Sequence, residues 1–361
     1  MRIKNLLIAL PLTAVLAFGV AACGSDSDNG GSSGSDLSGQ MAGAGSSAQE
    51  AAMQAWIATF QDTNPDVTIS YDPVGSGGGR EQFIAGATAF GGSDAAMEDE
   101  ELAGAQERCG SVDSFIEMPA YISPIGVAYN LDGVDDLNLS ADTLAKIMKG
   151  DITNWDDQAI AAENKGTELP DQRIAPVHRS DESGTTENFV DYLSQAAPDV
   201  WDFEVSGDWP IKSGEAAQGT SGVIAAIKAG SGTIGYADLS QIGDLGAVNI
   251  KVGEEYVPPS SEAAAEIVDV SKQVTGQGEY VIAYDLDRGT TESGIYPISL
   301  VSYELFCTEY DDENEAAMVK AFYNFVISEE GQNVAASAAG SAPISNSLRE
   351  KLQPAVDAIG S

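Results

Sequence analysis

Ile174-Ala175-Pro176-Val177-His178-Arg179-Ser180-Asp181-Glu182-Ser183-Gly184-Thr185-Thr186-Glu187-Asn188-Phe189-Val190-Asp191-Tyr192-Leu193 is the most informative stretch of this 361-residue chain. Ile174 to Val177 reads as a short strand leading into Arg179. Asn188 to Leu193 reads as a helix with Phe189, Tyr192 and Leu193 on one face. Between them lies a turn of small polar residues. Strand, polar turn and helix in that order form the repeating unit of an α/β fold. The first turn of a helix leaves backbone N–H donors unpaired, and its positive dipole end favours an anion. Arg179 adds a planar fork suited to a tetrahedral oxyanion, and Asp181 is placed to hold that fork still.

Two earlier segments share the design. Gly43-Ala44-Gly45-Ser46-Ser47 opens a helix at Gln49, in which Met53, Trp56, Ile57 and Phe60 recur at helical spacing. Gly75-Ser76-Gly77-Gly78-Gly79 opens a second helix at Gln82. Glycine lets a backbone approach a ligand closely, and Ser or Thr hydroxyls bond oxygen or cap the helix. One such turn is adequately explained as a capped helix start. Three of them, one with an arginine, point to an oxyanion site.

The rest of the chain continues the alternation. Val67 to Tyr71 and Ile122 to Tyr129 read as strands, and Gly232 to Tyr236 as a tight turn into another. Leu144 to Met148, Gly222 to Ala229 and Ala316 to Ile327 read as helices, the last with Met318, Val319, Phe322, Phe325 and Val326 on one face. The expected class is α/β with largely parallel sheets, and no internal repeat is visible. From Gln40 onward about 320 residues remain, enough for two domains.

Residues 1–22 read as a secretion signal: Arg2 and Lys4, then an apolar run from Leu6 to Val20 shorter than the ~20 residues of a membrane span. Val20-Ala21-Ala22-Cys23 resembles a lipobox, so Cys23 is the expected lipidation site. Residues 23–39 are dominated by Gly, Ser and Asp and read as a flexible tether. The expected localisation is the cell membrane, with the chain lipid-anchored on the extracytoplasmic side. Net charge is −39, or −41 once Arg2 and Lys4 leave with the signal, which argues against nucleic acid as a partner. An anionic ligand would have to be held by local dipoles against that field. Cys109 and Cys307 lie in an oxidising compartment and are expected to pair, the alternative being two independent buried thiols. No metal site or cofactor is expected.

Enzymatic readings fare poorly. No Walker triplet occurs, and no Gly-x-Ser-x-Gly elbow has a histidine partner. The only histidine, His178, should face away from Arg179 as a support residue.

Taken in order, these motifs resemble the phosphate-binding receptors of bacterial phosphate-specific ABC importers. The matching blocks are Gly43 to Ala48, Tyr71 to Gly79, Ala89-Phe90-Gly91-Gly92-Ser93-Asp94, Gly150 to Asp157, Arg179 to Thr185 and Gly232 to Tyr236, spread over about residues 40 to 345. The resemblance implies a two-lobed, type II Venus-flytrap fold with two interdomain crossings and a central cleft. Lobe I would comprise 40–118 plus 296–361, and lobe II 119–295. It implies phosphate ligands at Ser47, Ala48 through its N–H, Ser76, Asp94, Arg179, Ser183, Gly184 and Thr185. Ala48-Gln49 departs from the family's Phe-Pro. It further implies permease subunits of an ABC importer as partners, a monomeric receptor and no catalysis. Asp94 would accept a hydrogen bond from a protonated phosphate oxygen, which sulfate lacks; leaving such a polar group unpaired discriminates by on the order of 10⁴. The rival readings are a receptor for sulfate or molybdate, a phosphoryl-processing enzyme, and a sensory lipoprotein without a transport role.

Overall fold

The computed structural model describes residues 37–361; the leader, Cys23 and most of the tether lie outside them. The chain opens with β1 (Gly39–Gly45), α1 (Glu50–Thr63), β2 (Val67–Asp72), α2 (Ser76–Ile84), β3 (Phe90–Ser93) and α3 (Asp99–Arg108). β4 (Phe115–Asn130), β5 (Leu137–Leu139), α4 (Ala141–Lys149), α5 (Gln158–Glu163), β6 (Ala175–Arg179), α6 (Gly184–Ala196), β7 (Glu215–Ala217) and α7 (Gly219–Ala229) follow. Next come β8 (Thr233–Asp238), α8 (Leu239–Ile242), β9 (Gly246–Val252), β10 (Glu255–Val257), α9 (Ser261–Val270), β11 (Lys272–Gln273) and β12 (Tyr284–Asp285). The chain closes with β13 (Ser299–Cys307), α10 (Glu313–Ile327), α11 (Glu329–Ala339) and α12 (Asn346–Asp357).

Eleven strands join one sheet, whose main path runs β2-β1-β3-β13-β4-β8-β6-β7. β1 is parallel to β2 and β3, and β6 is parallel to β7 and β8. The middle of the path is antiparallel, since β13 runs against both β3 and β4, and β4 runs against β8. The expectation of largely parallel sheets is therefore corrected to a mixed sheet. The reason is β13, a nine-residue strand that returns late in the chain and inserts between β3 and β4.

β4 and β13 are the spine. Every residue of β13, and all but Asn130 of β4, is buried, as strands covered on both faces must be. β4 pairs with β13 from Phe115 to Pro124 and with β8 from Ile125 to Asn130. Their register shifts between Ser302 and Tyr303, which face Tyr121 and Pro119 and so leave Ala120 as an extra residue. Pro119 cannot donate to the ladder, and such bulges re-aim side chains. Here the residue at the shift is Ser302, which reaches the site described below. A disulfide joins Cys109 to Cys307, with Cα atoms 5.3 Å apart, tying the end of α3 to the end of β13 and settling the choice between a bridge and free thiols.

The helix starts at two of the polar turns differ from expectation. α2 begins at Ser76 rather than Gln82, so Gly77, Gly78 and Gly79 are helical. Gly75 takes φ 101°, a left-handed conformation, and a Cβ on Gly79 would lie 2.4 Å from Gly45 Cα. The glycines let α2 press onto β1, an advantage that outweighs their poor helix propensity. α6 begins at Gly184 rather than Asn188, with Ser183 as its cap.

Candidate functional site

The three polar turns converge because each follows the end of a strand in one sheet: Ser46-Ser47 after β1, Gly75-Ser76 after β2 and Ser180 to Thr185 after β6, with Asp94, just after β3, beside the start of α2. Asp94 sits at the centre and is 2 % exposed. Its Oδ2 accepts from the Thr185 hydroxyl at 3.0 Å and its Oδ1 from the Ser302 hydroxyl at 2.5 Å. Its N–H donates to Ser76 Oγ at 3.1 Å. A Cβ on Gly184 would lie 2.7 Å from Ser76 Oγ and 2.9 Å from Asp94 Cβ, so only glycine fits there. Asn188 fastens the same point: its Nδ2 donates to the carbonyls of Asp94 (2.6 Å) and Gly184 (2.7 Å).

Arg179 is 3 % exposed. Its Nε donates to Asp181 Oδ1 at 2.8 Å and its Nη2 to Asp181 Oδ2. The fork is thus held on one edge, as the spacing predicted, and Nη1 has no partner among the described residues. Burial opposes ionisation of Asp181, but the hydrogen bond and charge of Arg179 outweigh it and hold the carboxyl below its usual range. Asp181 Oδ1 also accepts from the Gly219 N–H at 3.0 Å, which links the fork to the start of α7. A Cβ on Gly75 would lie 2.8 Å from Asp181 Oδ2 and 3.4 Å from Arg179 Nη2, placing the α2 start against the same pair.

Ser47 completes the ring from the other side. Its Oγ accepts from the Thr220 N–H at 3.1 Å and lies 3.0 Å from Thr220 Oγ1, and Gln241 Nε2 donates to its carbonyl at 2.9 Å. Ser183 Oγ accepts from the Thr186 N–H at 3.2 Å as a helix cap. Ser76 and Ser183 accept one backbone bond each, which leaves their own O–H protons free to donate to an oxygen ligand. Ala48 is fully buried, and its N–H donates to Ser46 Oγ at 3.0 Å, so the backbone contact expected there has a competitor inside the protein.

Behind Arg179 stands an aromatic stack. His178 packs on Trp209 (5.3 Å, 15°), Trp209 on Tyr236 (5.7 Å) and Tyr236 on Phe189 (4.4 Å, 16°). His178 Nδ1–H donates to the Arg179 carbonyl at 2.8 Å, which makes it a support residue as expected. Sequence reading missed three contributors: Ser302, Asn188 and the Gly219-Thr220 start of α7. Gln218-Gly219-Thr220-Ser221-Gly222 carries the same small-polar signature as the other turns and was legible. Ser302 is a single hydroxyl inside an apolar strand and gave no signal. No group of acidic, histidine or cysteine side chains among the described residues could hold a metal.

The fold is the two-lobed, type II periplasmic-binding-protein fold, and its helix N-termini, hydroxyls and one arginine gather around Asp94. The PBP superfamily domain matches residues 30–330. Phosphate-binding protein PstS 3 of Mycobacterium tuberculosis is 34% identical over 374 residues, covering 99% of this chain and 100% of that one. Phosphate-binding protein PstS of Methanocaldococcus jannaschii is 31% identical over 298 residues, 77% of this chain and 75% of its own. Among solved structures, a phosphate-binding protein from Stenotrophomonas maltophilia aligns with TM-score 0.65 at 19% identity, over 88% of this chain and 94% of that one. A high affinity periplasmic phosphate-binding protein bound with phosphate gives 0.69 at 20%, over 87% and 93%. This chain belongs to the PstS phosphate-binding proteins of the PBP superfamily.

Proposed function

We propose that the protein is an extracytoplasmic receptor that binds inorganic phosphate with high affinity and delivers it to the membrane subunits of an ABC importer. The observation that carries this reading is Asp94: a buried carboxylate, already accepting from Thr185 and Ser302, set among donors that suit an anion. Facing a ligand, an acceptor in that place favours one that brings its own proton, as HPO₄²⁻ or H₂PO₄⁻ does and sulfate does not. The ligand set is Ser47, Ser76, Asp94, Arg179, Ser183, Gly184 and Thr185, with Ala48 through its backbone where Ser46 releases it. Asp181 orients Arg179.

The two lobes are divided at about 118/119 and 295/296, with β4 as one crossing and the segment before β13 as the other. The receptor works as a monomer without cofactor, metal or catalysis; His178, its only histidine, is spent on the Arg179 carbonyl and a ring stack. A lipid on Cys23 would hold it at the outer face of the cell membrane, and no helix among the described residues is long and apolar enough to cross one. Calorimetric titration with phosphate, sulfate and molybdate tests the ligand: tight binding of phosphate alone is expected, and equal binding of sulfate refutes the assignment. Mass spectrometry of native-membrane protein tests the anchor, which a free amino terminus at Cys23 refutes.

A further inference from the structure

Glu182 lies inside the Arg179–Thr185 turn, yet its side chain points away from the oxyanion point. It enters a slot between two glycines. A Cβ on Gly77 would lie 1.7 Å from its Oε2, and one on Gly207 would lie 1.9 Å from its Oε1. In the slot its Oε1 accepts from Arg80 Nη2 at 3.0 Å. Arg80 belongs to α2, one turn beyond Ser76, and is 4 % exposed. Its other donors are fixed from its own side: Nε on Glu101 Oε1 (2.8 Å) and Nη1 on Ser93 Oγ (2.8 Å), whose hydroxyl donates in turn to the Ala95 carbonyl (2.6 Å). The guanidinium is therefore aimed before Glu182 arrives.

The sequence positions matter as much as the distances. Arg80 is tied to Ser93, the neighbour of Asp94, and rides on the helix that Ser76 opens. Glu182 is the neighbour of Ser183, which caps α6. The ion pair thus joins the turns of the β1–β3 side to the turn of the β6 side, Glu182 next to Ser183 in the chain and Arg80 bonded to Ser93, the residue before Asp94. Glu182 also sits beside the first turn of α2, where a negative charge is favoured by the helix dipole. Gly77 has its reason here: in the sequence it looked like a residue that lets a ligand approach, and in the structure it admits a carboxylate.

We propose that Arg80 and Glu182 are positioning residues, a clasp that holds the Ser76 and Ser183 turns together over the bound ion and sets how long it stays. The proposal rests on the phosphate reading of the site. Neither side chain touches the ligand. Because the clasp forms only when the two sides meet, it acts after encounter and governs escape rather than arrival.

The test is stopped-flow phosphate binding and release on the full protein, read from the intrinsic fluorescence of Trp209 beside Tyr236. Glu182→Gln keeps the shape and removes the charge. Phosphate dissociation should rise roughly tenfold or more, with association changed less than about twofold. Arg80→Lys, which keeps the charge but not the fork, should do the same, and the double variant should be little worse than either alone. A fully additive double variant, or an unchanged dissociation rate in Glu182→Gln, overturns the clasp. Small-angle X-ray scattering of ligand-free protein keeps the two readings apart. A wild type that binds no phosphate refutes the function, whereas an unchanged radius of gyration together with unchanged release refutes the clasp.

Discussion

Asp94→Asn should collapse the preference for phosphate over sulfate while leaving the site assembled. In the wild type each carboxylate oxygen already accepts one hydroxyl proton, from Thr185 on Oδ2 and from Ser302 on Oδ1. The amide replaces one of those oxygens with a donor, so one hydroxyl must turn and become an acceptor. Trading a charge-assisted bond for a neutral one costs about 1–2 kcal/mol, so phosphate affinity should fall about 5- to 30-fold. Sulfate should gain: it no longer faces a buried carboxylate and can receive a bond from the amide, worth about 1.5–3 kcal/mol. The two changes together shrink the affinity ratio by at least ~10²-fold. Arg179 should stay in place, because Asp181 holds its fork and Asp94 does not. Separate calorimetric titrations at fixed pH and ionic strength give both affinities. An unchanged ratio would show that selectivity lies elsewhere in the cleft. A large equal loss for both ions would show that Asp94 only supports the fold.

Three further outcomes are expected. Arg179→Ala removes a buried charge that faces the ligand, so phosphate binding should weaken by at least ~10²-fold while circular dichroism stays native; retained affinity would reduce Arg179 to a structural ion pair. Replacing Cys109 and Cys307 together by Ala opens a loop of 198 residues, and thermal unfolding should show a loss of up to about 5 kcal/mol. Burial pushes the Glu304 carboxyl up to about 8 although Tyr323 O–H donates to it at 2.8 Å, so the folded chain keeps a proton there that the unfolded chain releases near 4.5. Stability should therefore fall as pH rises from about 4.5 to 8, and Glu304→Gln should flatten that slope by at most about 5 kcal/mol; identical slopes in urea titrations across this range would refute it.

Local chemistry was enough to locate most of the candidate site. Helix N-termini preceded by glycine and serine, and an arginine two residues before an aspartate, carry their reason within a few residues. The turns at Ser47, Ser76 and Ser183 and the Arg179–Asp181 pair were accordingly legible in the sequence. So were the α/β class and the helix faces of α1, α6 and α10, where apolar spacing reports burial directly.

Long-range placement was decided only by the fold. β13 inserts between β3 and β4 from far along the chain, turns the sheet from parallel to mixed, and brings Ser302 onto Asp94 through a register shift opposite Pro119. Nothing near Ser302 in the sequence marks it, since a strand's neighbours in a sheet are set by the whole topology rather than by the strand itself. Gly77 and Glu182 show the same limit at closer range. Each has an ordinary local reading, as a turn glycine and as an acidic residue in a polar turn. Their shared purpose exists only where α2 and the β6 turn meet, in a slot too narrow for a Cβ.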